Sequence, residues 1–224
     1  MFDLIIKTMN KSEKFVITVN RELGSKGRTI AEKLAERLDV KFYDKAVVEG
    51  LTKQFGVSVK ELEKVKAKKS NFWDDLYKSY IYDRVQSRLE IHSVSSHMEN
   101  QSKLLTSAKL KAAEEKILKK LGEESSCVIA GRSGFHFFRD EPNSMHIFIK
   151  CSKEKRILNL MKDRNISAEE AENLLEDVDK GRDVFTKKLS GYSRYDCRNY
   201  DLVLDVTDLS IDQAVDVICY IVNL

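Results

Sequence analysis

Proline is nearly missing from this chain: Pro142 is the single one in 224 residues. So little proline leaves few stiff loops and favours helix-rich structure. Cysteine is scarce as well, and Cys127, Cys151, Cys197 and Cys219 form no C-x-x-C pair. That spacing offers neither a disulfide framework nor a zinc knuckle, and a reduced, cytoplasmic compartment is the simplest reading. The four histidines, His92, His97, His136 and His146, have no metal-ligand spacing, so no metal is assigned to the protein. Charge of one sign is lacking too: 39 basic residues face 36 acidic ones, a net +3, which gives no overall electrostatic case for nucleic acid. No apolar run approaches membrane-spanning length, so no membrane partner is expected. The first ten residues hold a short apolar patch and one basic residue, without a small-residue cleavage site, and read as a docked or poorly ordered leader. What remains is an ordinary globular composition, 33% charged and 42% hydrophobic, enough for one domain over 11–224 carrying a helical insertion.

Hydrophobic periodicity organises that domain. Phe15–Val19 is a short β-branched run that reads as a buried strand. A polar, glycine-bearing segment, Asn20–Thr29, follows; then Ile30, Leu34 and Leu38, with Ala31 and Ala35, make one helical stripe. Lys41–Tyr43 reads as a second strand ended by Asp44. From Lys45 to Glu124 the pattern is helical throughout, too long for a simple connection, so about 45–125 is expected to be an inserted subdomain. Strand patterns return at Cys127–Ala130, Met145–Lys150 and Asp201–Val206. Ser152 is a helix cap; Ser167 with Glu170, and Ser210 with Gln213, have capping-box spacing. The expected fold is α/β: three layers, α/β/α, around a five-stranded, mostly parallel sheet. Ligands of such sheets sit at the carboxyl ends of the strands, where the loops at 20–29, 44 and 131–134 should gather.

The first of these loops has the chemistry of a phosphate cradle. Gly24 and Gly27 let the backbone approach an anion, the helix behind them adds open amides, and Arg21, Lys26 and Arg28 add charge. A turn that merely links strand to helix is the competing reading of the same glycines. The loop also departs from the usual G-x-x-x-x-G-K-[ST] pattern. Aligned on Thr29, in the Gly-Lys-Gly-Thr form found in nucleotide kinases, the lysine position holds Gly27, flanked by Lys26 and Arg28.

NRELGSKGRTIAEKLAERL followed by KFYDK resembles the opening of the cytidylate kinase-like family, a branch of the P-loop nucleoside monophosphate kinases. ISAEEAENLLEDVDKGR, VIAGRSGFHFFRDEP and YDLVLDVTDLSIDQAV extend the likeness to most of the chain outside the central helical block. In that family Ser-Arg-Glu-x-Gly-Ser-x-Gly-Arg stands in for the Walker loop. The resemblance implies a P-loop kinase fold with a monophosphate-binding insertion and a mobile lid, here about 164–188. It also implies phosphate transfer from ATP, carried with Mg²⁺, to a pyrimidine monophosphate such as CMP; small-molecule nucleotides would be its partners.

Carried over by residue, Gly24, Ser25, Lys26, Gly27, Arg28 and Thr29 would surround the donor phosphates. Asp44 would lie near the monophosphate, although a helix cap for the residues after it accounts for it equally well. Arg132 matches the arginine of a Gly-Arg-Asp segment that faces the acceptor phosphate, with Ser133 replacing the aspartate. Arg164, Asp179, Arg182 and Asp183 fall in the lid-like segment, with Arg156 a further candidate. Stabilising charge on the transferring group would fall to Lys26, Arg28, Arg132 and Arg182, since arginine stays charged and binds phosphate through paired hydrogen bonds. Two departures, Gly27 and Ser133, keep open a catalytically impaired nucleotide- or anion-binding protein. A kinase for another small acceptor also remains open, because the central block would shape the acceptor pocket.

Overall fold

The computed structural model describes residues 9, 10, 12–44, 118, 119, 122, 123 and 125–222. Most of the expected insertion, and residues 1–8 of the leader, lie outside the described residues. Met9 is buried against the core, and Asn10 exchanges hydrogen bonds with Asn143 (both 2.9 Å).

Five strands form a parallel sheet: β1 (Val16–Arg21), β2 (Lys41–Tyr43), β3 (Cys127–Ala130), β4 (Ser144–Lys150) and β5 (Leu202–Asp205), in the order β2-β3-β1-β4-β5. Among the described residues, helices run over α1 (Gly27–Arg37), the short α2 (Gly134–Phe137), α3 (Lys153–Arg164), α4 (Ala168–Ser190) and α5 (Ile211–Ile221). A 3₁₀ turn, Cys197–Asn199, precedes β5.

β1 lies in the middle, and every one of its residues is buried. Alternation divides them between two faces. Ile17 and Val19, with Ile147 and Ile149 of β4, pack on Ile30 and Leu34 of α1 and on Val215 and Ile218 of α5. Each such side chain contributes roughly 1.5–3 kcal/mol by leaving water. Thr18, His146 and Phe148 point the other way; Thr18 Oγ1 and His146 Nδ1 are 2.8 Å apart, and Phe148 meets Tyr195 and Tyr200. A smaller apolar cluster, Leu160, Leu174, Leu175 and Val178, joins α3 to α4 and takes in Leu23 from the first loop.

β1 runs two residues further than its apolar pattern indicates, because Asn20 and Arg21 continue the pairing with Phe148 and Ile149. Polar side chains at the end of a buried strand hide its true length from a hydrophobicity reading. The three cap expectations are met: Ser152 accepts from the Lys155 amide, and Ser167 and Ser210 form complete capping boxes.

Strand order positions the site. β3 stands between β2 and β1, so the connections leaving β1 and β3 run in opposite directions. A crevice therefore opens at their carboxyl ends. The loop 22–26 and the turn 131–133 border it.

Candidate active site

The loop after β1 is held from behind. The Leu23 amide donates to Asp179 Oδ1 (3.1 Å), Arg156 Nε donates to the Leu23 carbonyl (2.7 Å), and Asn159 Nδ2 to the Gly24 carbonyl (2.8 Å). Gly24 has φ +77°, and a Cβ there would lie 2.7 Å from the Arg156 carbonyl oxygen, so the chain needs glycine at this point. Ser25 is buried and ties the turn internally, its hydroxyl donating to the Glu22 carbonyl (2.8 Å) and accepting from the Gly27 amide (3.3 Å). Lys26 adopts a left-handed φ of 60° at the cap of α1, a conformation costly for a side-chain-bearing residue. Among the described residues, the amides of Gly24, Lys26 and Thr29 donate no hydrogen bond within the protein. Open amides at a helix start are what an anion would take up.

They face a cleft of about 170 Å³. Gly24, Lys26, Gly27, Arg28 and Thr29 form one wall; Leu160, Asp163 and Arg164 of α3 and Arg182 of α4 form the other, with Arg21 at the strand end. Lys26 pairs with Asp163 across the opening. Arg28 donates to Asp44 (2.8 Å) and Glu32 (2.9 Å), and its guanidinium lies 5.5 Å from the centre of the Phe42 ring. Asp44 thus enters the site through Arg28.

Beneath the loop lies a buried cluster around Asp179, itself 6% exposed. Asp179 binds Arg156 directly and takes Arg182 Nη1 at 3.4 Å and Arg194 Nη1 at 3.8 Å. Arg182 (3.4 Å) and Arg194 also donate to the Arg21 carbonyl. Burial, and then the neighbouring Arg182 charge, push the Arg194 guanidinium below its ordinary pKa, with Asp179 opposing. Arg194 Nε and Nη1 make no hydrogen bond among the described residues. Arg21, Arg156, Arg182 and Arg194 are all buried here, against the carboxylates of Glu22 and Asp179. Guanidinium groups gathered with carboxylates beneath a glycine turn mark this cluster as a candidate site for an anionic ligand.

Asp183 and Arg132, like Ser25, Asp44 and Asp179, are not part of the cleft lining. Asp183 accepts from Ser193 Oγ (2.8 Å), the Arg194 amide (3.0 Å) and Lys187 Nζ (2.7 Å). Burial raises its pKa, but those bonds outweigh burial and hold it below the usual carboxylate range. Its contacts set the turn that delivers Arg194. Arg132 lies at the end of β3, inside three successive left-handed residues: Gly131 (φ 82°), Arg132 (58°) and Ser133 (52°). The Ser133 and Thr186 hydroxyls, both buried, bond at 2.9 Å and fasten this turn to α4. Left-handed backbone strain at Arg132 and Ser133, about 1–3 kcal/mol per residue, is of the kind that gathers at functional sites.

The importance of Arg194 and Asn159 is invisible in sequence, because 135 to 173 residues separate them from their loop partners. Only the fold brings them there.

A central β1, a glycine turn capping α1 and buried arginines beneath it define a P-loop kinase fold. The chain belongs to the cytidylate kinase-like family, whose model matches residues 16–208. Among solved structures it is similar to an uncharacterized protein from Eubacterium ventriosum ATCC 27560, with 20% identity and a TM-score of 0.64 over 94% of this chain and 99% of that one. Shikimate kinase from Bacteroides thetaiotaomicron shares the fold at 13% identity, with a TM-score of 0.51 over 94% and 99% of the two chains. No curated protein matches the sequence. Family and fold together support phosphoryl transfer as the general chemistry. Among the described residues, no helix is long and apolar enough to cross a membrane.

Proposed function

We propose that the protein transfers the γ-phosphoryl group of ATP to a nucleoside monophosphate, with CMP or dCMP as acceptor, in the cytoplasm. An acceptor phosphate oxygen would form the new bond to the γ-phosphorus while the bond to the β–γ bridging oxygen breaks, leaving ADP and a nucleoside diphosphate. The observation that carries this reading is the set of open amides at Gly24, Lys26 and Thr29 facing a cation-lined cleft. Phosphoryl transfer needs in-line positioning, charge stabilisation and exclusion of water rather than a covalent nucleophile.

In this reading Gly24–Thr29 hold the donor phosphates, and Arg164 and Arg182 close on them from the far wall. Arg132 meets the acceptor phosphate, near Asp44. Asp179 and Asp183 act through the arginines and the turn they hold. Mg²⁺ would arrive with the nucleotide and neutralise phosphate charge, held largely through phosphate oxygens and water. Closure of 164–188 and of the insertion over bound substrates would exclude water.

A second reading, nucleotide binding without transfer, is favoured by Gly27 at the lysine position and Ser133 at the aspartate position. A coupled assay with ATP and CMP, dCMP, UMP, AMP or shikimate separates the two. Formation of CDP or dCDP supports the proposal. ATP binding with no transfer to any acceptor supports the second reading, and turnover with another acceptor alone refutes the pyrimidine assignment.

A further inference from the structure

We propose that Arg21, from the end of the central strand, supplies the polyphosphate contact that lysine supplies in other loops of this type, the two positions having exchanged residues. The inference rests on the donor-phosphate reading of the cleft. In G-x-x-x-x-G-K-[ST] the first glycine stands six residues before the lysine. With the lysine position at 27, that first glycine falls at 21: the glycine is now at 27 and the cation at 21.

The geometry makes this a reciprocal exchange rather than a loss. A Cβ at Gly27 would lie 2.5 Å from Arg21 Cβ, 2.9 Å from its Cγ and 3.2 Å from Ile149 Cβ. The stem of Arg21 fills the room in which a side chain at 27 would start, so a long cation fits at one of these positions and not at both. Further along, Arg21 Nη1 occupies the space a side chain at Gly131 would enter. Arg21 is 9% exposed, yet it borders the same cleft as Gly24, Lys26 and Thr29. Its carbonyl is gripped by Arg182 and Arg194, which fixes the backbone from which the side chain springs.

A cation rooted in a paired strand is already in place before the ligand arrives, and pre-organised charge is most effective where it need not reorient. A guanidinium also offers a planar fork to phosphate oxygens where lysine offers a point charge. The ligand class is a nucleoside di- or triphosphate, read at its terminal phosphates.

The test is equilibrium binding of ATP, ADP and AMP, with Mg²⁺, to the full chain and to Arg21→Met, Arg21→Lys, Gly27→Lys and the double variant Arg21→Gly/Gly27→Lys. Arg21→Met should weaken ATP and ADP roughly 10- to 100-fold, the loss expected for one charged hydrogen-bonding group, while leaving AMP unchanged. Arg21→Lys should lose less. Gly27→Lys alone should bind no ATP or fail to fold, whereas the double variant should recover ATP affinity to within about tenfold of the unchanged protein, lysine now acting from its customary position. If Arg21→Met does not fold, Arg21→Lys carries the comparison among ATP, ADP and AMP. Undiminished ATP binding by the Arg21 variants overturns the exchange, as does equal weakening of all three nucleotides, which marks a structural role. A double variant that binds no better than Arg21→Met overturns it too. Failure of the unchanged protein to bind ATP is a different result, and it refutes the donor-site reading itself.

Discussion

Asp179 does more for this site than any single cation in it. Buried to 6% exposure, it holds Arg156, Arg182 and Arg194 and takes the Leu23 amide. Replacing it with alanine leaves three buried guanidinium groups short of their shared counter-charge, at a cost of about 3–5 kcal/mol. Thermal denaturation of Asp179→Ala should show that loss, and a melting temperature equal to the unchanged protein's would contradict the account. Arg132 works on a different property. It stands at the end of β3, outside the lining of the donor cleft, so Arg132→Ala should raise the acceptor KM far more than the ATP KM. Steady-state kinetics with each substrate varied in turn reads this directly; equal effects on both would count against an acceptor role.

The elements themselves were readable where a local rule decides them. Ser152, Ser167 and Ser210 announce three helix starts, because a capping side chain needs only its neighbours three residues on. The end of β1 was not readable, since Asn20 and Arg21 are strand residues only by virtue of β4 beside them. The far end of the sheet offers a test at this scale. Asp205 ends β5 opposite Lys150 of β4, accepting from Lys150 Nζ (2.7 Å), Thr207 Oγ1 (2.6 Å) and the Thr207 amide (3.0 Å). The Lys150 bond leads in lowering its pKa from 3.8 to about 2. A depressed carboxylate stabilises the fold above its unfolded pKa, and that contribution disappears as pH falls from about 4 through about 2. Both side chains are about half exposed, so solvent screens the pair and the effect is small. Acid titration of Asp205→Asn by circular dichroism should show a slightly weaker fold above pH 4, converging with the unchanged protein below pH 2. A constant offset at all pH values would show that hydrogen bonding to Thr207, not charge, carries the contribution.

For the whole molecule, fold class and the phosphate loop followed from periodicity and a glycine turn, but the cluster that charges the site did not. Arg156, Asp179 and Arg194 come from α3, α4 and the turn before β5, and no spacing rule links them. Strand order brings them under one loop, and the order β2-β3-β1-β4-β5 is a long-range property. Above them, the open amides of Gly24, Lys26 and Thr29 make the native state an anion acceptor as a unit. Tripolyphosphate should therefore raise the melting temperature. At a hundredfold excess over its Kd, linkage gives about 2.7 kcal/mol, or roughly 5–10 °C for a chain of this size. Differential scanning calorimetry with and without tripolyphosphate, at matched ionic strength, checks it, and identical curves would argue against an anion site.

The bond between Ser133 and Thr186 has its own consequence for how the two walls of the crevice stay together. Both residues are 3% exposed, and either hydroxyl is able to act as donor. The seam between the β3 turn and α4 is thus closed by a neutral clasp, indifferent to acidity across the range in which carboxylates titrate. An aspartate at 133 would make Thr186 a fixed donor and bind α4 more tightly at neutral pH than in acid. By carrying serine there, this chain holds α4 with a latch whose grip does not change with protonation.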